Sequence, residues 1–234
     1  MEYKLYKEQV KEWPGAGEHI LANYDDESIS VYQAYRPAIA DYAVKHQHFG
    51  GEFSFTRMSW IKPNFLWMMY RSGWASKEGQ ERILEIRLKR SFFDEILLHA
   101  VPSSFYPQSF TTRDEWQIAI AESDVRLQWD PDHDPQGNPV ERRAIQLGLR
   151  GDILKRFAKN ELLYISDATE FVIAQRDNIT NQDKLITPAE SVYIPTEASI
   201  LQKIKKDKII NLSKNLEELN QNIVGKIEVI GEYR

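Results

Sequence analysis

The 234-residue chain contains no cysteine. That absence removes disulfide staples, thiolate zinc sites, iron–sulfur clusters and thiol nucleophiles together. Long apolar runs are also missing. None reaches the roughly 18 residues that a membrane-spanning helix needs. The opening stretch MEYKLYKEQVKEWPG is charged and has no apolar signal core. These absences point to a soluble, cytoplasmic protein with no membrane partner. The common catalytic signatures are absent too: no GxxxxGKS/T, no GxSxG and no HExxH. Gly15-Ala16-Gly17 follows no strand pattern, so it is no dinucleotide loop. The absence of these motifs argues against P-loop hydrolysis, serine hydrolysis of the α/β type and zincin chemistry.

What is present is charge, unevenly distributed. Formal net charge is −5, yet Arg57–Arg90 carries eight Lys/Arg against three Glu. Arg113–Asp134 reverses this, with seven acids against Arg113 and Arg126. Arg142–Arg156 reverses it again, with Arg142, Arg143, Arg150, Lys155 and Arg156 against Asp152. Overall acidity argues against coating nucleic acid, but local basic clusters suit phosphates. The competing reading is a set of solvated faces that pair with the acidic stretch.

Hydrophobic periodicity predicts an α+β fold, a single mixed-sheet domain with flanking helices and a C-terminal helical extension. Strands are predicted at 28–35, 52–60, 82–88, 125–129 and 144–149, with a strand pair at 162–166 and 171–175. Arg36-Pro37 opens a helix ended by Gly50-Gly51, and Pro63 starts the apolar helix NFLWMMYR, which Gly73 stops. Ser91 is expected to cap FFDEILLHA. Thr112 and Glu115 form a capping box before WQIAIAES. Residues 1–177 are read as the main domain. Residues 178–234 are read as a linker, an amphipathic helix with Ile209, Leu212, Leu216, Leu219 and Ile223 in one stripe, and an edge strand at 226–230, all packed on the core.

Three features carry candidate chemistry. The turn Asp130–Glu141 places Asp130, Asp132, Asp134, Gln136, Asn138 and Glu141 at calcium-loop spacing. Pro135 stands where that loop needs glycine, and the flanks read as strands, so a proline-braced turn is the simpler reading. His133, between two aspartates, is expected to titrate high. His46 and His48 form an H-x-H pair at a helix end, where interaction with terminal carbonyls is the simpler reading. The segment Arg57–Trp74 gathers three tryptophans, three methionines, two arginines and a lysine. Aromatic faces beside guanidinium groups suit a base-and-phosphate pocket. A plain core helix accounts for Phe65–Tyr70 but leaves Arg57, Ser59, Lys62 and Arg71 without a packing role.

The blocks VYQAYRPAIA, RMSWIKPNFLWMMYRSGW, VRLQWDPDHDPQG and RRAIQLGLRG, in this order, resemble the family catalogued as domain of unknown function 4291. The match covers about residues 18–175. The resemblance implies a site formed from Tyr32, Gln33, Tyr35, Arg36, Arg57 through Trp74, Gln128, Trp129, Asp130, Gln146 and Arg150. A looser similarity is to the ADP-ribosyltransferase arrangement, with Arg36 and Ser59 in the first two roles of a nicotinamide-dinucleotide cleft. Gln146 falls at the third, where that arrangement has glutamate, and a glutamine is no base.

The functional expectation is an enzyme acting on a nucleotide or nucleic-acid substrate, of the nucleotide-dependent transferase kind, with NAD or another nucleotide as cofactor. Arg36, Ser59, Asp130 and Gln146 are the catalytic candidates, with Glu85 a further acid/base candidate. Tyr32, Gln33, Tyr35, Arg57, Trp60, Lys62, Arg71, Trp74, Gln128, Trp129 and Arg150 are the ligand-binding candidates, and no metal ligand is assigned. The alternatives are a non-catalytic module for nucleic acid or a phospho-ligand, and a scaffold acting through the C-terminal helix.

Overall fold

The computed structural model describes residues 2–107 and 109–205. In chain order, β1 (Tyr3–Leu5), α1 (Tyr6–Gln9), β2 (Gly17–Glu18), β3 (Leu21–Ala22) and β4 (Ser28–Tyr35) lead to α2 (Pro37–His46) and β5 (Ser59–Ile61). There follow α3 (Phe65–Ser72), β6 (Arg82–Lys89), α4 (Arg90–His99), β7 (Ala100–Pro102), α5 (Arg113–Glu122), β8 (Val125–His133) and β9 (Pro139–Leu149). The described part closes with α6 (Gly151–Lys159), β10 (Leu162–Asp167), α7 (Thr169–Arg176), β11 (Ile186–Pro188), β12 (Ser191–Val192) and α8 (Ala198–Ile204). The fold is mixed α+β, as its sequence pattern predicts.

Two sheets form the frame. One has the order β10-β6-β4, antiparallel throughout, and the other runs β2-β9-β8-β7, with β5 also paired to β9. A single bridge joins them. Tyr32 N–H donates to Lys62 O at 2.7 Å, and Lys62 N–H donates to Tyr32 O at 3.2 Å. Lys62, one residue past β5, thus sits at the seam of a curled sheet. The largest core cluster packs Ile29, Val31, Leu84, Ile86 and Leu88 against Phe92, Phe93, Leu127, Ile145, Leu147 and Phe157. The alternating pattern of β6 gives a strand buried on both faces, because Glu85 and Arg87 on its more polar face are covered as well.

Helix α3 buries six of its eight residues, among them Phe65, Leu66, Trp67, Met68 and Met69. Asn64 caps it, its side chain accepting from Trp67 N–H at 2.6 Å, and Gly73 ends it in the left-handed region with φ 58°. Thr112 and Glu115 form the predicted capping box on α5.

Several elements depart from the sequence pattern. Only Ser59–Ile61 of the expected strand at 52–60 pairs. Phe53 and Phe55 meet edge to face with ring centroids 5.0 Å apart, and Phe53 also meets Phe49, so this aromatic alternation anchors a loop. The residues 171–175 are helical in α7: a short apolar run has no period of its own, and burial of Val172 on the core decides. Ser91 caps nothing. Its helix starts at Arg90, whose N–H goes to Glu27 O at 2.8 Å. The acidic stretch is a long hairpin in place of an irregular loop. β8 extends to His133 past a register shift after Pro131, and the turn closes through Asp134 N–H to Asn138 O.

Residues 186–192 pair back onto the amino-terminal strands, β11 with β1 and β12 with β3. Helix α8 buries Ile200 and Ile204, and Ile204 O accepts from the Trp129 indole at 2.9 Å. The stripe Ile209–Ile223 and the strand expected at 226–230 lie outside the described residues. Among the described residues no helix is long and apolar enough to cross a membrane.

Candidate functional site

Where β4, β5 and the β8–β9 hairpin meet at the seam, the sheet opens into a cavity of about 660 Å³. The end of β4 contributes Gln33, Tyr35 and Arg36. The loop before β5 contributes Glu52, Phe53, Arg57 and Met58, β5 itself Ser59 and Trp60, and the seam Lys62. Helix α3 adds Met68 and Arg71, one turn apart on the same face, and the hairpin adds Gln128 and Gln146. Gly148 makes room for this wall: a Cβ there would meet Met58 Sδ at 2.5 Å and the Trp60 ring at 3.0 Å.

The floor is a network of neutral amides and hydroxyls. Gln33 Nε2 donates to Ser59 Oγ at 2.7 Å and to Trp60 O at 3.1 Å, and Tyr35 Oη lies 2.9 Å from the same Ser59 Oγ. Burial raises the Tyr35 phenol well above its ordinary range, so it stays neutral. Cross-strand pairing sets Gln128 opposite Gln146, and Asp130 shares the face of β8 that Gln128 occupies. Gln146 Nε2 donates to Asp130 Oδ2 and to Gln128 Oε1, both at 2.7 Å. Because a carboxylate only accepts, this fixes the amide: both N–H groups of Gln146 are engaged, and its Oε1 remains an acceptor for a ligand.

The rim is cationic. Arg36 forms an ion pair with Glu52 at 2.5 Å, both side chains more than half exposed. The Gly50-Gly51 turn permits this pair. Gly51 has φ 58°, and a Cβ on Gly50 would strike the Tyr42 ring at 2.7 Å. The guanidinium groups of Arg57 and Arg71 and the Lys62 amine make no hydrogen bond or ion pair among the described residues. Lys62 is 6% exposed. Burial, reinforced by the Arg71 charge and opposed by Asp130, pushes its amine down to about 8.

Of the fifteen residues singled out from sequence, Arg36, Ser59, Gln146, Gln33, Tyr35, Arg57, Trp60, Lys62, Arg71 and Gln128 line this one cavity. Asp130 stands directly behind Gln146. Tyr32 is fully buried against Phe65. Trp74 is buried with its indole N–H on Pro135 O at 3.2 Å, and Trp129 is buried with its own on Ile204 O. Arg150 caps the end of α5, donating to Ser123 O at 3.1 Å and Ala121 O at 2.7 Å. None of these four lines the cavity. Glu85 does not reach it either: it shares the Tyr32 side of the sheet and accepts from Ser30 Oγ at 2.6 Å and Ser166 Oγ at 2.9 Å.

The acidic hairpin is structural in its contacts. Asp132 pairs with Arg142 at 2.6 Å, both nearly fully buried, and Asp134 accepts from Asn138 N–H and Nδ2. His133 titrates below its ordinary range, against the expectation from its neighbours. It is stacked on Tyr70 at 3.5 Å and on Trp67 at 5.4 Å, and desolvation outweighs the three aspartates. His46 and His48 pack on Tyr42, and His48 Nδ1 lies 3.1 Å from Phe49 O. Among the described residues no group of three or more His, Asp or Glu is placed to hold a metal ion.

Sequence reasoning passed over Glu52, Phe53 and Gln80 in the cavity wall. The double glycine that folds residue 52 back towards residue 36 was the available signal for Glu52. Gln80 carries none, because its loop is positioned by α3 and β6 rather than by local pattern.

Fold and site together define an α+β protein whose curled sheet opens on one amide-floored, cation-rimmed cleft. The family model described as Domain of unknown function (DUF4291) matches residues 19–198, and the chain belongs to that family. No curated protein matches the chain.

Proposed function

We propose that the cleft binds a small phosphate-bearing ligand of the nucleotide class and that the protein acts on it as an enzyme. The observation that carries this reading is the convergence of Arg57, Lys62 and Arg71, none of them paired among the described residues, on one concavity walled by Tyr35, Phe53 and Trp60. Cations without protein acceptors favour an anion, and guanidinium groups suit phosphate oxygens in particular. The aromatic wall supplies a surface for a base. Gln146 Oε1 and the Gln128 amide supply an acceptor and a donor for ribose hydroxyls or base edges.

Arg36, Ser59 and Gln146, the three positions of the ADP-ribosyltransferase resemblance, all line the cavity, which favours NAD among the nucleotides. Gln146 accepts a hydroxyl proton's hydrogen bond but removes no proton. Any base work falls to Asp130, which Gln146 shields from the cavity. A module for polymeric nucleic acid is the second reading. It would spread its cations over an open face, whereas these four basic side chains ring a concave volume.

Thermal shift with AMP, ATP, NAD and a single-stranded oligonucleotide tests the proposal. A nucleotide at 100 times its Kd adds about 2.7 kcal/mol of stability. The expected result is stabilisation by a nucleotide but not by its nucleoside, lost in Arg57→Ala and Arg71→Ala. Stabilisation by the oligonucleotide alone, with steep salt dependence, favours the second reading. No shift with any of the four overturns both.

A further inference from the structure

Lys62 is held in an unusual way. Its backbone is hydrogen-bonded to Tyr32 on one side of the seam, Pro63 follows it, and β5 fixes the preceding residue against β9. Its Cα therefore has little freedom. The register of β5 with β9, extended by one residue, sets Lys62 level with Gln146 on the cavity floor. The side chain is 6% exposed, yet the amine has no acceptor among the described residues. Its stem is buried while the nitrogen keeps some exposure to the cavity, and this partial desolvation without a protein acceptor favours the neutral amine.

Of the charged groups around it, Arg71 of α3 acts in the same direction, and Arg57 and Arg36 also line the cavity. Asp130 of β8 opposes Arg71 but makes no ion pair with the amine, being engaged with Gln146, and Glu52 is taken by Arg36. A desolvated amine beside another cation is the arrangement that activates lysine as a nucleophile.

We infer that Lys62 is a covalent attachment point in the cleft, forming an imine with the carbonyl carbon of a phosphorylated aldehyde or ketone. The open-chain sugar of a sugar phosphate is a ligand of this kind. This rests on the proposal that the cleft takes a phosphate-bearing ligand. The neutral amine adds to the carbonyl carbon to give a carbinolamine. The carbonyl oxygen then leaves as water, carrying the two protons lost by the nitrogen, so no oxidant or reductant is needed. Arg57 and Arg71 hold the phosphate, which sets the carbonyl against the amine.

Pyridoxal 5′-phosphate, followed by borohydride reduction and peptide-resolved mass spectrometry on the full chain, tests this. Lys62 is expected to be labelled on the order of ten times faster than the exposed lysines at pH 7, since an amine held near 8 has a far larger neutral fraction than one near 10.4. Its labelling rate should rise towards pH 8 and then level off. Pyridoxal without the phosphate should lose the preference. Lys62→Arg should lose that one adduct while the others persist. Labelling of Lys62 no faster than of the surface lysines overturns the inference, as does equal preference for pyridoxal.

The two proposals fail separately. Nucleotide stabilisation without selective labelling refutes the imine alone. Selective labelling that no nucleotide slows refutes the nucleotide reading and leaves a cleft for a simpler phosphorylated carbonyl compound.

Discussion

Arg87 and Arg57 belong to the same basic block of the sequence but have opposite surroundings. Arg87, on β6, donates to Ser28 Oγ, Asn23 O, Asn23 Oδ1, Ser30 Oγ and Asp25 Oδ2, so all three nitrogens of its guanidinium are engaged. Arg57, thirty residues earlier, has no acceptor for its guanidinium among the described residues. The second basic block divides in the same way. Arg142 is locked to Asp132, Arg156 to Glu95 and Glu161, and Arg150 to the carbonyls ending α5. Around the cavity, by contrast, Arg57, Lys62 and Arg71 keep capacity for something else, and there they converge on one concave volume. Charge density along a sequence is thus a poor guide to a binding site. Unmet hydrogen-bonding capacity inside a concave volume is a better one, because a buried or half-buried cation without a partner implies one that is absent.

The sharpest way to break this contrast is to remove a paired cation. Arg142→Ala leaves Asp132 buried without its partner and frees Pro14 O. It should cost about 3–5 kcal/mol of unfolding free energy, measured by denaturant titration.

A smaller effect comes from Glu190, a buried carboxyl that has no ion-pair partner among the described residues. Burial raises it to about 8, although it accepts the Phe65 N–H at 2.7 Å. The unfolded carboxyl ionises near 4.5 while the folded one stays protonated, so the folded state binds more protons between these values and stability falls as pH rises from about 4.5 to 8. Glu190→Gln should remove most of that slope. An unchanged slope in the variant would contradict the assignment.

Lys62→Met tests the cleft itself. It replaces an unpartnered amine by an apolar chain of similar length, so stability should rise by about 1 kcal/mol while ligand stabilisation disappears. The smallest effect is expected from Arg57→Ala and Arg71→Ala. Each should alter stability by less than about 0.5 kcal/mol, since neither guanidinium has a protein partner. A large loss in either would place it with Arg87 and Arg142 and remove the distinction drawn here.

Much of the frame was legible in the sequence. Strand Ser28–Tyr35, the Pro37 helix, the apolar helix after Pro63 with its glycine stop, and the Thr112–Glu115 box all follow from local rules of period, cap and breaker. Most of the cavity lining was also singled out. The aromatic and basic residues around Ser59 and Lys62 exceed what a core needs, and ten of the fifteen residues singled out line one cavity. The illegible part depended on partners distant in the chain. His133 looked acid-stabilised in its local context, but Trp67 and Tyr70 bury it. Trp74 and Trp129 looked like stacking platforms, but Pro135 and Ile204 take their indoles. Arg150 looked like a phosphate ligand, but the end of α5 takes its guanidinium.

The sequence by itself determined the α+β class, the exclusion of thiol chemistry and the set of residue types from which a site is made. These depend on composition and short-range periodicity, which need no partner to be read. Only the tertiary structure decided which cations stay unpaired, that Lys62 sits on the seam of two sheets, and that Gln146 stands between Asp130 and the cavity. Those properties arise from contacts between residues tens of positions apart, and burial there reverses what local charge alone predicts.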